Sequence, residues 1–290
     1  MRPAHIVSVT ASISIALANG AAAQSPVRFP NGLVPYLQVA APGTILFQPD
    51  GGKGPWSVVV LLPTCAGVNA ATYDWAGRLV RAGRMALVLD SYTPRNVQNN
   101  CQGGVDTAVT QRHMADDTAA ALAWLRTLPM VKPDRFAVVG FSFGAMAAAK
   151  LSVGSLQRRL TPPIVGLRAV AAFYPGCGTS QPFASANVTE FYDWGGDVTT
   201  PLMLFLGAKD DETPPRFCTD KADRARSRGQ PVSYKVYEDT THAFDYATLG
   251  NREFRRPLGG NRGTATYRYN QASTEASAAA LLAFLAGYLD

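Results

Sequence analysis

Three residues of this chain are suited to doing chemistry together: Ser142, Asp210 and His242, in that order along the sequence. Ser142 lies in Gly140-Phe141-Ser142-Phe143-Gly144, after the apolar run Phe136-Ala137-Val138-Val139 and before the small residues Ala145-Met146-Ala147. A buried strand that turns sharply into a helix reads this way, with the serine hydroxyl held out at the turn. Side chains at Gly140 and Gly144 would collide with neighbouring backbone in so tight a turn. A serine hydroxyl becomes a nucleophile when a base takes its proton. His242 is the candidate base, and Asp210 the candidate acid that fixes the imidazole tautomer and stabilises the imidazolium. An attacked carbonyl develops an oxyanion that needs donors, and the backbone N–H groups of Phe143 and Cys65 are the candidates.

Each assignment has a competitor. A Gly-x-Ser-x-Gly pattern is short enough to arise by chance. Of the other histidines, His5 lies near the N-terminus and His113 on a helical segment starting near Asp106, where a structural role is expected. Asp211 and Asp245 compete with Asp210; Asp211 is read as a capping or surface group, and Asp245 as a third candidate. The order Ser, Asp, His favours the first assignment, provided the chain delivers all three to one place.

The elements expected to do so alternate. Thr44–Phe47 reads as an early strand. Trp56–Leu62 is a continuous β-branched apolar run, as in a strand buried on both faces of a parallel sheet. Tyr73–Ala82 is compatible with helix, Met85–Leu89 with strand and Asp106–Leu128 with a long helix ended by Pro129 and Pro133. After the Ser142 turn come strands at Ala169–Tyr174 and Pro201–Gly207, a helix from Pro214 or Pro215 through Ala225, a strand at Val232–Tyr237 and a closing helix at Ala272–Leu289. The Gly-rich, basic segment up to Gly263 reads as irregular, and Gly178–Thr200 and Arg252–Tyr269 as the insert-like stretches. This alternation predicts an α/β fold with a doubly wound, mainly parallel sheet and helices on both faces. In such sheets functional groups collect at the carboxyl ends of strands, where Cys65, Ser142, Asp210 and His242 all fall.

With 290 residues, 47% of them hydrophobic and 17% charged, the chain holds enough apolar material for one large domain. The net charge of +6 is scattered; the clusters Arg224/Arg226/Arg228 and Arg252/Arg255/Arg256 read as solvated surface, and no nucleic-acid partner is expected. Arg2, the mostly apolar Ile6–Ala18 and Ala21-Ala22-Ala23 have the layout of a secretory signal cleaved before Gln24. The expected organisation is a leader over 1–23 and one domain over 24–290, exported to the periplasm or beyond, with no stable membrane span once the leader is gone. In an oxidising compartment the four cysteines suggest two disulfides among three connectivities. Cys65 and Cys101 follow consecutive strands on the same sheet edge. Cys177 follows the strand before that of Asp210, and Cys218 lies in the helix after it. Pairings Cys65–Cys101 and Cys177–Cys218 are therefore favoured. No Cys/His spacing resembles a zinc site, and neither metal nor cofactor is expected.

As an ordered set, several segments resemble the dienelactone hydrolase family of α/β-hydrolases: Val60-Leu61-Leu62-Pro63-Thr64-Cys65-Ala66-Gly67, Asp90-Ser91-Tyr92-Thr93-Pro94-Arg95, Gly140-Phe141-Ser142-Phe143-Gly144, Gly207-Ala208-Lys209-Asp210 and His242-Ala243-Phe244-Asp245. The resemblance spans about residues 44 to 290. It implies an α/β-hydrolase fold with little or no lid, acting on esters or lactones. The namesake enzymes use a cysteine where Ser142 stands. Many relatives carry His-Gly where Pro63-Thr64 stands, and the namesake group holds a substrate carboxylate with an arginine where Tyr246 stands. Arg95, Phe141 and Tyr246 are the candidates for substrate contact, with Arg95 equally able to brace its own loop. The expected activity is a serine hydrolase that forms an acyl-enzyme on a small ester or lactone. A peptidase or acyltransferase on the same fold, or a non-catalytic exported binding protein, are the alternatives.

Overall fold

Trp56–Leu62 forms the strand β3, and its residues from Ser57 to Leu62 are buried. The period of two sends Val58, Val60 and Leu62 into one apolar layer and Val59 and Leu61 into another, so the run needs cover on both sides. The computed structural model describes residues 24–26, 44–50, 53–101, 109–178, 194, 196–250, 252–258 and 263–290. The leader read over 1–23 lies outside them, as does most of the insert-like stretch 178–200.

The other sheet strands are β1 (Gln24–Pro26), β2 (Ile45–Phe47), β4 (Met85–Val88), β5 (Val131–Phe141), β6 (Leu167–Phe173), β7 (Leu202–Gly207) and β8 (Val232–Tyr237). Their spatial order is β1-β2-β4-β3-β5-β6-β7-β8. The β1–β2 and β2–β4 pairs are antiparallel and the rest are parallel. Helices α1 (Ala70–Arg81) and α6 (Gln271–Leu289) cover one face through Trp75, Leu79, Leu281 and Leu285. The other face is covered by α2 (Gln111–Leu125), α3 (Phe143–Leu151), α4 (Gly154–Arg159) and α5 (Pro215–Ser227), through Met114, Leu122, Ala147, Leu156 and Ala222. This is the doubly wound α/β-hydrolase architecture; β1 is not among the expected strands, and β5 begins at Val131, ahead of the expected run from Phe136, so Pro133 lies within it and does not end α2. Helix α6 is long and apolar enough to cross a membrane by length and composition. Here Leu281, Leu285 and Leu289 repeat at helical spacing and are buried against the sheet, the placement of a core helix.

Differences from the sequence expectations have local causes. Helix α1 starts at Ala70 because the Asn69 side chain caps it, accepting the Thr72 N–H. Helix α2 has Thr110 as its cap, and His113 has the structural role expected of it: its Nδ1 accepts the Thr110 N–H while the Thr110 hydroxyl accepts the His113 N–H. The largest correction concerns 252–269, whose first part, up to Gly263, has the composition of an irregular segment. Glu253–Pro257 (β9) and Thr264–Arg268 (β10) form an antiparallel ribbon. In β10, buried Ala265 and Tyr267 alternate with more exposed Thr264, Thr266 and Arg268. That period of two is only five residues long and sits beside a glycine-rich connection, so composition outweighed it in the sequence.

Candidate active site

The parallel strands put their carboxyl ends on one edge, and the candidate residues follow there. Ser142 comes directly after β5 with φ 50° and ψ −111°, in the left-handed region. Its N–H donates to Phe173 O at 3.0 Å, and its carbonyl accepts the Met146 N–H at 3.0 Å, so the strained residue is tied to β6 on one side and α3 on the other. The flanking glycines are obligatory. A Cβ at Gly140 would lie 2.2 Å from Gly144 O, and one at Gly144 would lie 2.3 Å from Pro63 O. Because those obstacles are backbone, Gly144→Ala is expected to cost about 3 kcal/mol, seen as a lower urea midpoint at unchanged m.

Ser142 Oγ lies 2.9 Å from His242 Nε2, and His242 Nδ1 lies 2.8 Å from Asp210 Oδ2. Asp210 is fixed in turn: its Oδ1 accepts the Glu212 and Thr213 N–H groups at 3.0 and 2.8 Å, and its Oδ2 accepts the Thr213 hydroxyl at 2.9 Å. His242 and Asp210 are buried, whereas Ser142 is partly exposed. The neighbouring acids go elsewhere. Asp211 Oδ1 accepts the Thr266 N–H at 2.8 Å, fastening β10. Asp245 accepts from Trp75 Nε1 at 2.7 Å and from the Tyr174 hydroxyl at 2.8 Å.

Burial works against a charged His242 ring, but the carboxylates of Asp210 and Glu212 outweigh it and push its pKa up to about 9. Glu212 Oε2 lies 3.6 Å from His242 Nε2. Burial of that carboxyl is itself overcome by the ring, by the Tyr267 hydroxyl and by Arg256, which together hold it below the usual glutamate range. Such a chain can move a proton from the hydroxyl to the ring and stabilise the cation that results.

A cavity of about 260 Å³ opens over Ser142 and His242. Thr64, Cys65 and Ala66 bound it on one side, and Leu249, Phe254 and Arg256 on another. Phe143 begins α3, so its N–H belongs to the first turn, where amides lack an intrahelical acceptor. Both disulfides have the pairings favoured above, and Cys65–Cys101 lines the cavity. Two bridges fit an oxidising compartment. Among the described residues no three His, Cys, Asp or Glu side chains are grouped so as to hold a metal ion.

Of the candidates for substrate contact, Tyr246 lines the cavity; its hydroxyl accepts from Asn69 Nδ2 at 2.6 Å and lies 3.2 Å from Thr64 Oγ1. For Arg95 the second of its two readings holds, and Phe141 is corrected. Arg95 makes paired hydrogen bonds of 2.8 and 2.9 Å to buried Asp117 and donates to Ser91 O at 2.7 Å, so it braces its own loop. Phe141 points into the core, with its ring 5.8 Å from Trp75 and 5.3 Å from Phe173. Its position is the last of a strand, and the pleat turns it away from the residue that follows. Arg256, read as solvated surface, is half-buried and donates to Glu212 Oε1 at 2.9 Å. Glu212, Arg256 and Tyr267 are the site residues that the sequence left unmarked. The one available signal was an acid two positions beyond Asp210.

A family model described as "Dienelactone hydrolase family" matches residues 43–289. Among curated proteins, the "Probable 2-oxo-3-(5-oxofuran-2-ylidene)propanoate lactonase" of Bradyrhizobium sp is 25% identical over 191 residues, which is 64% of this chain and 72% of that protein. Among solved structures, a dienelactone hydrolase-like promiscuous phosphotriesterase from metagenomic libraries superposes with a TM-score of 0.61 at 19% identity, over 85% of this chain and 92% of that one. The carboxylesterase Cest-2923 from Lactobacillus plantarum WCFS1 superposes with a TM-score of 0.60 at 15% identity, over 82% and 90% of the two chains. At these identities the two structures bear on the fold alone.

Proposed function

This chain belongs to the dienelactone hydrolase family, and we propose that it cleaves a small carboxylic ester or lactone through an acyl-enzyme on Ser142. The family supports hydrolysis of esters or lactones in general. The observation that carries the finer reading is the unbroken chain from Ser142 Oγ through His242 to Asp210, with links of 2.9 and 2.8 Å. Ser142 Oγ attacks the substrate carbonyl as its proton passes to Nε2. The oxyanion is met by the N–H groups of Phe143 and Cys65. Collapse breaks the bond to the leaving oxygen, which takes the proton from Nε2. Water then repeats the sequence and releases the acid. Asp210 keeps the Nδ1 proton in place throughout. In a lactone the leaving oxygen stays tethered to the acyl group, so one product forms.

The cavity volume lies below the usual range for drug-sized ligands, which favours a compact acyl group. Leu249, Phe254 and Tyr246 offer it an apolar wall. In this reading the protein is one domain over 24–290, exported behind a leader over 1–23, and its two disulfides favour the periplasm or the exterior. N-terminal sequencing of the mature protein, expected to begin at Gln24, tests that part.

The catalytic reading is tested with a fluorophosphonate probe and peptide mapping. Label is expected on Ser142 and is expected to be lost in Ser142→Ala and His242→Ala. Folded wild-type protein that takes no label would sink it. A panel of short and long p-nitrophenyl esters, lactones and aminoacyl amides then reads substrate class, with short esters and lactones expected to lead.

A further inference from the structure

Glu212 is the carboxylate among the described cavity-lining residues that the three-residue chain leaves unused. Its Oε2 lies 3.6 Å from His242 Nε2, the nitrogen that faces Ser142, and its side chain is 13% exposed. It is held there by a built scaffold. Arg256 Nη2 donates to Oε1 at 2.9 Å, and the Tyr267 hydroxyl donates to Oε2 in a short bond. Arg256 also reaches the Tyr267 oxygen from Nε at 3.0 Å and Nη2 at 2.8 Å. Both partners come from the β9–β10 ribbon. That ribbon is pinned to the same loop by the Thr266–Asp211 hydrogen bond and to the histidine loop by a bridge between Tyr267 and His242.

We propose that Glu212 is a positioning residue that acts through His242: paired with Arg256, it stabilises the imidazolium formed in each half of the reaction and sets the pH above which the ring is free to take a proton. The proposal rests on the reading of His242 as the base.

The charged and titratable groups facing His242 fix the sign. Asp210 at Nδ1 and Glu212 near Nε2 favour the cation, and Arg256 opposes it. Asp245, three residues on in the same loop, is occupied by Trp75 and Tyr174. Tyr174 and Tyr267 pack edge-on, with ring centroids 4.7 and 5.8 Å away. Burial raises both phenols, so they stay neutral through the working range. Burial and the Arg256 guanidinium oppose the cation, Asp210 and Glu212 outweigh them with Asp245 also favouring it, and the ring's pKa is pushed up to about 9. Removing Glu212 must lower that value. Removing Arg256 leaves Glu212 uncompensated and must raise it. A merely structural role for the cluster would not move the two variants in opposite directions.

The test follows His242 by NMR in histidine-labelled protein across pH for wild type, Glu212→Gln and Arg256→Met, alongside kcat/KM for a short p-nitrophenyl ester. The His242 midpoint is expected to fall by about one pH unit in Glu212→Gln, as for loss of one close carboxylate, and to rise in Arg256→Met. The ascending limb of kcat/KM is expected to move with it. On the acid side of the midpoint the free-base fraction and hence the rate are expected to rise by up to roughly tenfold in Glu212→Gln, while its alkaline plateau falls below that of wild type. Should Glu212→Gln fail to fold by circular dichroism, Glu212→Asp, which withdraws the carboxylate by one methylene, is expected to shift the midpoint the same way by less. Unchanged midpoints, or shifts of the same sign in the Glu212 and Arg256 variants, would overturn the proposal. An inactive wild type would fail the hydrolase reading, while the His242 titration would still decide this one.

Discussion

Ser142→Ala is expected to lower kcat for a short activated ester by at least ~10³-fold, and by as much as ~10⁶-fold where the three residues act as one unit. The substitution removes a single oxygen. Alanine keeps the Cβ, so the positive φ of the turn and its hydrogen bonds to Phe173 and Met146 are undisturbed. Neither the cavity wall nor the candidate oxyanion amides depend on Oγ, and KM is expected to change little. What is lost is the hydroxyl that lies 2.9 Å from Nε2 at the cavity floor. His242→Ala is expected to fall nearly as far, because Oγ then has no base. The double variant is expected to be no worse than Ser142→Ala alone, since neither residue does its work without the other. Stopped-flow and steady-state turnover at the alkaline plateau check all three. An activity retained to within tenfold in Ser142→Ala would move the nucleophile elsewhere.

The reach of the sequence can be judged residue by residue. Ser142 was legible because its turn leaves a mark on both sides: backbone contacts of 2.2 and 2.3 Å forbid anything but glycine at 140 and 144. The strands were legible because a sheet covered on both faces demands short β-branched apolar runs such as Val58–Leu62. Once those strands were parallel, their carboxyl ends had to share an edge, and Asp210 and His242 came with them. Side-chain direction was not legible. Phe141 and Ser142 are adjacent, yet one ring is in the core and one hydroxyl is at the cavity, a matter of pleat and turn angle. Arg95 is a charged residue in a loop near the site, and its pairing with Asp117 on α2 is a long-range contact that no local pattern marks. The Glu212–Arg256–Tyr267 cluster joins residues 44 and 55 positions apart through a ribbon too short to announce itself. Partnerships of this kind depend on tertiary register, which no local pattern encodes.

The acid position is where the chemistry turns on one residue against its neighbour. Asp210→Asn is expected to lower kcat by ~10⁴-fold with the fold intact, the loss that follows when an amide replaces the triad carboxylate and selects the wrong tautomer. In the neutral ring the carboxylate holds Nδ1–H as a donor to Oδ2 at 2.8 Å, which leaves Nε2 bare to receive the serine proton. An amide nitrogen at the Oδ2 position would donate to Nδ1 instead. The ring proton would then sit on Nε2, where it blocks Ser142. The asparagine oxygen can still accept from Glu212 and Thr213 as Oδ1 does, so the loop is expected to hold its shape. Asp211→Asn is the matched control. Its side chain accepts from the Thr266 N–H, which an amide oxygen can also do, and it makes no contact with His242. Its kcat is expected to stay within about twofold of wild type, as for a surface substitution that keeps its hydrogen bond. The ratio of the two variants therefore reads the acid directly. A large loss in Asp211→Asn with little in Asp210→Asn would reverse the assignment. Equal small losses in both would mean that the imidazole is oriented without a carboxylate, against the 2.8 Å contact that the fold places at Nδ1.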